Sequence, residues 1–391
     1  MKPIGVYVHF PWCLRKCPYC DFASFERSRD AIDHRGYADA VLAELEARRP
    51  IFRGRLESVF FGGGTPSLWE PEELGRVLEA ILQAAESQAE GGVEITVECN
   101  PSSLDAPRAA RFASVGVNRL SVGVQGLDRE RLTFLGRLHD PGEALAAVRA
   151  AIASGVRVNA DLMIGIATGF DDGTHQRPAE AVAEALAVAD LGVSHISAYQ
   201  LTVEPKTRFG ELDRAGRLPL VGEDRMATTF LETSRALEAR GYEHYEISNF
   251  ARAGQRSRHN VGYWLGQDYL GLGCAAYGTV SSPDGAYRYR NAPNPERYLA
   301  RVTAGEFEPH EREDLDGETR LRERLMLGLR LREGIDLESA ASEVGAEPWP
   351  RERRQAVDEL VAAGRLVREG ARLRVPREAW LFTDGIAAAL F

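Results

Sequence analysis

At 391 residues, with 44 % hydrophobic and 27 % charged side chains, the chain has the composition of a globular protein and room for two or three domains or one large α/β unit with an appendage. A formal net charge of −10 excludes a general nucleic-acid binder, which needs a basic surface to displace phosphate counterions. No apolar run approaches a membrane span and no signal peptide precedes the first strand, so a reducing, cytoplasmic setting is expected.

In chain order, Ile4 to Phe10 reads as a strand and leads into a Pro-punctuated loop carrying Cys13, Cys17 and Cys20. A helix is predicted over 37–48, a buried strand over 56–61, a helix over 71–85 and a strand over 93–98. Helix 106–114 precedes strand 119–123, helix 142–154 precedes strand 157–164, and helix 179–190 precedes strand 195–201. Short apolar strands separated by amphipathic helices imply parallel strands with helical crossovers. Six such units predict an α/β fold built on an open, partial (β/α)6 barrel, with function at the carboxyl ends of its strands. After about residue 220 comes a long helix, 221–240, then a segment 242–250 that closes the periodic pattern. The domains expected are 1–250, a connecting segment 251–315, and a smaller C-terminal unit 316–391. Helical stretches over 321–331, 336–344 and 351–363, followed by a short hairpin over 366–375, make that last unit winged-helix-like.

The cysteine loop is the most informative element. Three cysteines at C-x3-C-x2-C spacing are one ligand short of a closed zinc site or of a four-thiolate iron–sulfur cube. A packed thiol cluster, half a disulfide set, or a zinc site completed by a distant histidine are the plainer readings. The odd total of five cysteines fits no secreted disulfide framework, and Cys99 and Cys274 stand alone in apolar surroundings, as packing residues do. The triplet reads as three ligands of a 4Fe-4S cluster with one iron left open, the spacing of radical S-adenosylmethionine (SAM) enzymes.

Other chemistry gathers at the same strand ends. Gly62, Gly63 and Gly64 follow the second strand, where backbone groups can approach a SAM ammonium closely. Glu98 ends the third strand, Gln125 follows the fourth, Asp161 lies in the fifth, and Tyr199 and Gln200 end the sixth. Glu98 and Asp161 suit ribose hydroxyls and Arg137 a carboxylate, although a lone acid at a strand end is more often a cap or a surface partner.

The stretches Tyr7-Val-His-Phe-Pro-Trp-Cys13, Cys17-Pro-Tyr-Cys-Asp-Phe22, Asn118-Arg-Leu-Ser-Val-Gly-Val-Gln125, Leu135-Gly-Arg-Leu-His139 and Ala198-Tyr-Gln-Leu-Thr202, with the 62–67 loop, resemble the oxygen-independent coproporphyrinogen oxidase group of radical SAM proteins. The resemblance extends to Leu325-Met-Leu-Gly-Leu-Arg-Leu-Arg-Glu-Gly334. It implies that Tyr7, Gly63, Gly64, Thr65, Glu98, Gln125, Arg137 and Asp161 contact SAM, with Phe22 beside them. Decarboxylases of this group typically carry a further cysteine where Phe22 stands, and a longer N-terminal region. The HemW-type heme-chaperone branch lacks that cysteine and carries HNxxYW, present here as His259-Asn-Val-Gly-Tyr-Trp264.

This branch implies three cofactors or ligands: the 4Fe-4S cluster, SAM and heme. His259 can ligate heme iron as a neutral imidazole, and Tyr263 and Trp264 offer flat faces to a macrocycle. The plainer alternative is aromatic packing with His259 bonded to a backbone carbonyl. The partners implied are a heme acceptor protein and an electron donor, with peripheral membrane contact during delivery. Decarboxylation of a porphyrinogen and a zinc-bound interaction module are the competing readings. Two segments depart from the branch: Gly165-Ile-Ala-Thr-Gly169 stands for Gly-Leu-Pro-Gly-Gln, and Cys274-Ala-Ala-Tyr-Gly278 for Pro-Gly-Ala-His-Ser.

Overall fold

A computed structural model describes residues 1–170, 174–282 and 285–391. Its core is a parallel series of six strands, β1 (Pro3–Phe10), β2 (Arg55–Gly63), β3 (Glu94–Cys99), β4 (Arg119–Gln125), β5 (Arg157–Ile164) and β6 (His195–Gln200). Neighbours in sequence are neighbours in the sheet. The crossovers are α1 (His34–Arg48), α2 (Pro71–Ala84), α3 (Ala106–Ser114), α4 (Pro141–Ala153) and α5 (Pro178–Ala189). Short polar side chains start these helices where the chain leaves the strands. Asp33 caps α1 and Asp105 caps α3, while Asp140 and Glu143 form a reciprocal capping box on α4, satisfying N–H groups that the first turn leaves unpaired. β4 is buried along its whole length, yet its side chains alternate: Leu120, Val122 and Val124 are apolar, while Arg119, Ser121 and Gln125 on the other face are polar.

The sheet stays open, as the six-unit pattern predicts. Beyond β6 and α6 (Glu223–Ala239), β7 (Glu243–Glu246) and β8 (Asn249–Ala251) add antiparallel strands. The other edge is longer than the sequence suggests. After α7 (Arg258–Trp264), β9 (Asp268–Leu272) pairs parallel to β1, and β10 (Tyr277–Ser282), β11 (Gly285–Arg290) and β12 (Glu311–Leu315) continue antiparallel, with α8 (Pro295–Thr303) between the last two. β1, an edge strand in a six-strand pattern, is thus interior. Helices α9 (Gly317–Gly328), α10 (Leu337–Val344) and α11 (Arg351–Ala362) follow, with a three-stranded sheet of β13 (Ile335–Asp336), β14 (Val367–Glu369) and β15 (Arg372–Arg374). This is the winged-helix-like unit expected from the sequence.

Candidate cofactor and ligand site

The cysteine loop is held at both ends and from below. Trp12–Cys13 pairs with Phe25–Glu26, and Arg27 N–H donates to Cys13 O at 2.8 Å, closing the loop into a ring. Beneath it Phe10, Trp12, Tyr37 and Trp69 pack edge-to-face or stacked at centroid separations of 4.9–5.3 Å, geometries the aromatic quadrupole favours. The glycine loop docks directly on this ring. Gly64 N–H donates to Phe10 O at 2.7 Å and Thr65 N–H to Trp12 O at 2.8 Å. A Cβ on Gly64 would lie 2.7 Å from Trp12 O, and one on Gly63, whose φ is +108°, 2.5 Å from the His9 ring. Close packing of two loops therefore requires these glycines. Gly63 N–H donates to Glu98 at 3.2 Å; a ligand's ammonium, itself a donor, would meet the carbonyl oxygens of the loop.

Cys13, Cys17 and Cys20 line one cavity of about 170 Å³. Thr65 Oγ1 donates to Cys13 Sγ at 3.3 Å, Arg137 Nη1 to Cys17 Sγ at 3.6 Å, and Ser24 Oγ lies 3.9 Å from Cys20 Sγ. Among the described residues no three His, Cys, Asp or Glu side chains converge as on a single metal ion. Three thiols spread round one cavity suit a cube that takes one thiolate per iron. Gly63, Gly64, Thr65, Glu98, Gln125, Arg137 and Asp161 line the same cavity, so seven of the proposed SAM contacts meet beside the cysteines. Tyr7 does not: its hydroxyl is 3.0 Å from His9 Nδ1 and it lines the neighbouring cavity.

The cavity lining is polar and largely bonded to itself, although among the described residues Arg137 Nε has no partner. Asp161 accepts from Ser121 Oγ at 3.0 Å and from Asn159 Nδ2 at 2.7 Å. Tyr199 donates to Gln125 Oε1 at 2.8 Å, and Gln125 takes a left-handed φ of +65°, a strained conformation typical of ligand sites. Burial, with Asp161's charge adding to it, pushes the Glu98 carboxyl up to about 8. Glu98 is then protonated in the folded protein at pH values where the unfolded chain has released the proton, so stability falls as pH rises from about 4.5 to about 8. Thermal melts of the SAM-free protein across that range should show this slope, and Glu98→Gln should flatten it; an unchanged slope in the variant would refute the assignment.

A second cavity, about 840 Å³, opens beside the first and shares Phe22, Gly63 and Glu98 with it. Its walls come from β1, β2, α7, the β9–β11 extension and α9, and its volume lies within the usual range for ligand pockets. α7 is fixed by the buried Glu94, which accepts from Arg258 N–H and His259 N–H at 3.1 Å each. His259 stacks on Phe60 at 4.8 Å and meets Tyr263 edge-on at 4.7 Å. Its Nδ1 lies 2.9 Å from Ser58 Oγ, while its Nε2 and Trp264 Nε1 are buried without a partner. Burial brings the imidazole down to about 4, so it is neutral at pH 7, as metal ligation requires. The hydroxyl of Ser58, rather than a backbone carbonyl, orients the ring.

Comparison with known proteins agrees along the whole chain. The Radical SAM superfamily profile matches residues 7–174 and the HemN C-terminal domain profile residues 315–382. The heme chaperone HemW of Haemophilus influenzae is 37 % identical, covering 76 % of each chain, and that of Mycobacterium tuberculosis is 34 % identical over 100 % of this chain and 95 % of its own. The chain belongs to the HemW family. A mitochondrial radical S-adenosyl methionine domain-containing protein 1 from Danio rerio is 36 % identical over 85 % of this chain and 73 % of its own. In fold, the coproporphyrinogen III oxidase HemN of Escherichia coli aligns over 100 % of this chain and 90 % of its own, with a TM-score of 0.80 at 20 % identity. As a radical SAM protein of the HemW family, the chain is one whose cofactors are a 4Fe-4S cluster and SAM.

Several residues that shape this HemW site escape a reading by motif. Ser121 and Asn159 hold Asp161 from adjacent strands, and period-two alternation on β4 and β5 is the signal that could have found them. Ser58 and Glu94 position His259 from two strands remote in sequence, which no local pattern marks. The two departures from the family pattern differ in form: the first is held by Gln176, and the second is a turn that runs into the start of β10 at Tyr277. Gly165 N–H donates to Gln176 Oε1 at 2.8 Å and Gln176 N–H to Ile166 O at 2.8 Å. Ala275 has a left-handed φ of +58°, the backbone conformation glycine adopts without strain.

Proposed function

We propose that the protein binds heme in the larger cavity and passes it to an acceptor protein, with a 4Fe-4S cluster on Cys13, Cys17 and Cys20 and SAM held by Gly63, Gly64, Thr65, Glu98, Gln125, Arg137 and Asp161. The observation that carries this reading is His259: a neutral imidazole with an unpartnered, buried Nε2 in the wall of a cavity faced with aromatic rings. Burying a nitrogen without a partner costs free energy, and an iron ligand would satisfy it. Tyr263 and Trp264 supply flat surface beside it. A reduced cluster with SAM on its open iron supplies one-electron chemistry; the chain's own part is to position both ligands and exclude water. Among the described residues no helix is long and apolar enough to cross a membrane, which fits delivery by contact at a membrane surface or between proteins. The relatives named heme chaperone support the same reading.

The test is absorbance titration of the anaerobically reconstituted protein with heme. Stoichiometric binding is expected, with His259→Ala weakening it about tenfold or more, the scale of losing one strong polar contact, and shifting the heme absorbance band. Absence of binding by the unaltered protein would overturn the reading. A second reading, a radical SAM enzyme acting on a porphyrinogen, draws on the adjacency of the two cavities, whose linings share Phe22, Gly63 and Glu98. Conversion of coproporphyrinogen in the presence of SAM and a reductant would favour it.

A further inference from the structure

Aromatic rings from β1, β2, α7, β9 and β10 line the larger cavity, and beside them β11 contributes Arg288 and Arg290, two residues apart and so on one face of the sheet, and α9 contributes Arg320 and Arg324. The carboxyls of Asp21, Glu98, Asp268 and Glu323 line it too, and the arginines' partners divide them into two kinds. Arg288 is neutralised by Glu323 at 2.5 Å and Glu313 at 3.3 Å, and Arg324 by Glu343 at 2.6 Å. Among the described residues Arg290 has only a 3.5 Å contact with the exposed Glu311, and its Nε is buried without an acceptor. Arg320 donates to Ser281 Oγ at 2.7 Å and, among the described residues, has no carboxylate within ion-pairing distance. The nearby Asp268 already accepts from Ser281 N–H and Ser281 Oγ at 2.9 and 2.8 Å.

Aromatic rings and two under-neutralised guanidinium groups lining one cavity match a flat apolar ligand that carries carboxylates along one edge. Heme has this form, with both propionates on the same side of the ring. A guanidinium fork binds a carboxylate through paired N–H bonds, stronger than neutral ones and sharper in geometry than a lysine ammonium would give. We propose that Arg290 and Arg320 bind the ligand's propionate carboxylates, so that the cavity selects the free dicarboxylate over an esterified macrocycle. This rests on the reading of the cavity as a heme site. Arg290, 5.2 Å from the Tyr277 ring centroid, and Arg320, braced by Ser281, are both held in place before a ligand arrives.

The experiment compares heme with heme dimethyl ester, titrated separately into the reconstituted protein and into Arg290→Gln and Arg320→Gln. The unaltered protein should bind heme about tenfold or more tightly than the ester, the scale of a charge-assisted hydrogen bond. Each glutamine variant should lose most of that preference by weakening heme binding while leaving ester binding within about threefold. Iron content and thermal melts establish that the variants fold; if one does not, the heme-to-ester ratio of the unaltered protein decides alone. Equal affinity for the two macrocycles, or variants that weaken both alike, would overturn the carboxylate assignment and leave the heme reading standing. Binding of neither macrocycle would overturn both.

Discussion

Alanine at any one of Cys13, Cys17 or Cys20 is expected to remove the cluster, with iron and acid-labile sulfide falling close to zero and the visible absorbance of the reconstituted protein lost. Each thiolate would ligate one iron, so two remaining thiolates would leave two irons of the cube without a protein ligand. Neither remaining cysteine is a ready substitute. Cys274 is buried in the hydrophobic core; Cys99 lines the same cavity as the triplet, but its thiol is bonded to its own strand through Val97 O and burial holds it protonated. Cys99→Ala and Cys274→Ala should therefore retain full iron content, making the five single variants an internal control. A variant of the triplet that keeps its cluster spectrum would refute the assignment.

The largest effect on stability is expected at Glu44, a residue on α1 that touches neither ligand cavity. Its carboxylate accepts four hydrogen bonds, from Arg48 Nε and Asn291 Nδ2 at 2.7 Å and from Gly273 N–H and Tyr298 OH at 2.8 Å. Arg48 in turn donates to Asn291 Oδ1 at 2.7 Å and lies 4.2 Å from the Tyr289 ring centroid. The Glu44 and Arg48 side chains are only 3 % and 7 % exposed. Glu44→Ala would strand a buried guanidinium and three further donors, a loss of about 3–5 kcal/mol, readable as a lower midpoint in urea. Glu44→Gln, which keeps the shape and part of the bonding, should lose less. A midpoint unchanged by Glu44→Ala would show that water replaces the network. The network joins α1 to the turn after β9, and Tyr37 on the same helix donates to His9 O and accepts from Cys274 N–H. The far edge of the sheet is thereby fastened to the base of the cysteine loop.

The barrel half of the molecule was legible because its signals are local. Apolar strands alternating with capped helices repeat six times, and the cysteine spacing is contained in eight residues. The β9–β12 extension was not legible as such. Tyr287-Arg-Tyr-Arg290 reads as an exposed, half-polar strand, and only its pairing with β10 and β12 turns Arg288 and Arg290 toward a cavity. The glycine loop was legible in place, lining the cysteine cavity, but its seating against the backbone of Phe10 and Trp12 was not, because that contact joins loops from two different strands. The site of His259 could be named from HNxxYW, whereas its supports, Ser58 and Glu94, lie on other elements and become neighbours only through the fold.

Phe22, Gly63 and Glu98 line both chambers, so a change at any of them alters the walls of both at once. Gly63 has no room for a side chain, its Cβ position lying 2.5 Å from the His9 ring, and Glu98 is tied to Gly63 by a hydrogen bond. That leaves Phe22, 56 % exposed, as the shared position whose side chain can vary without displacing its neighbours.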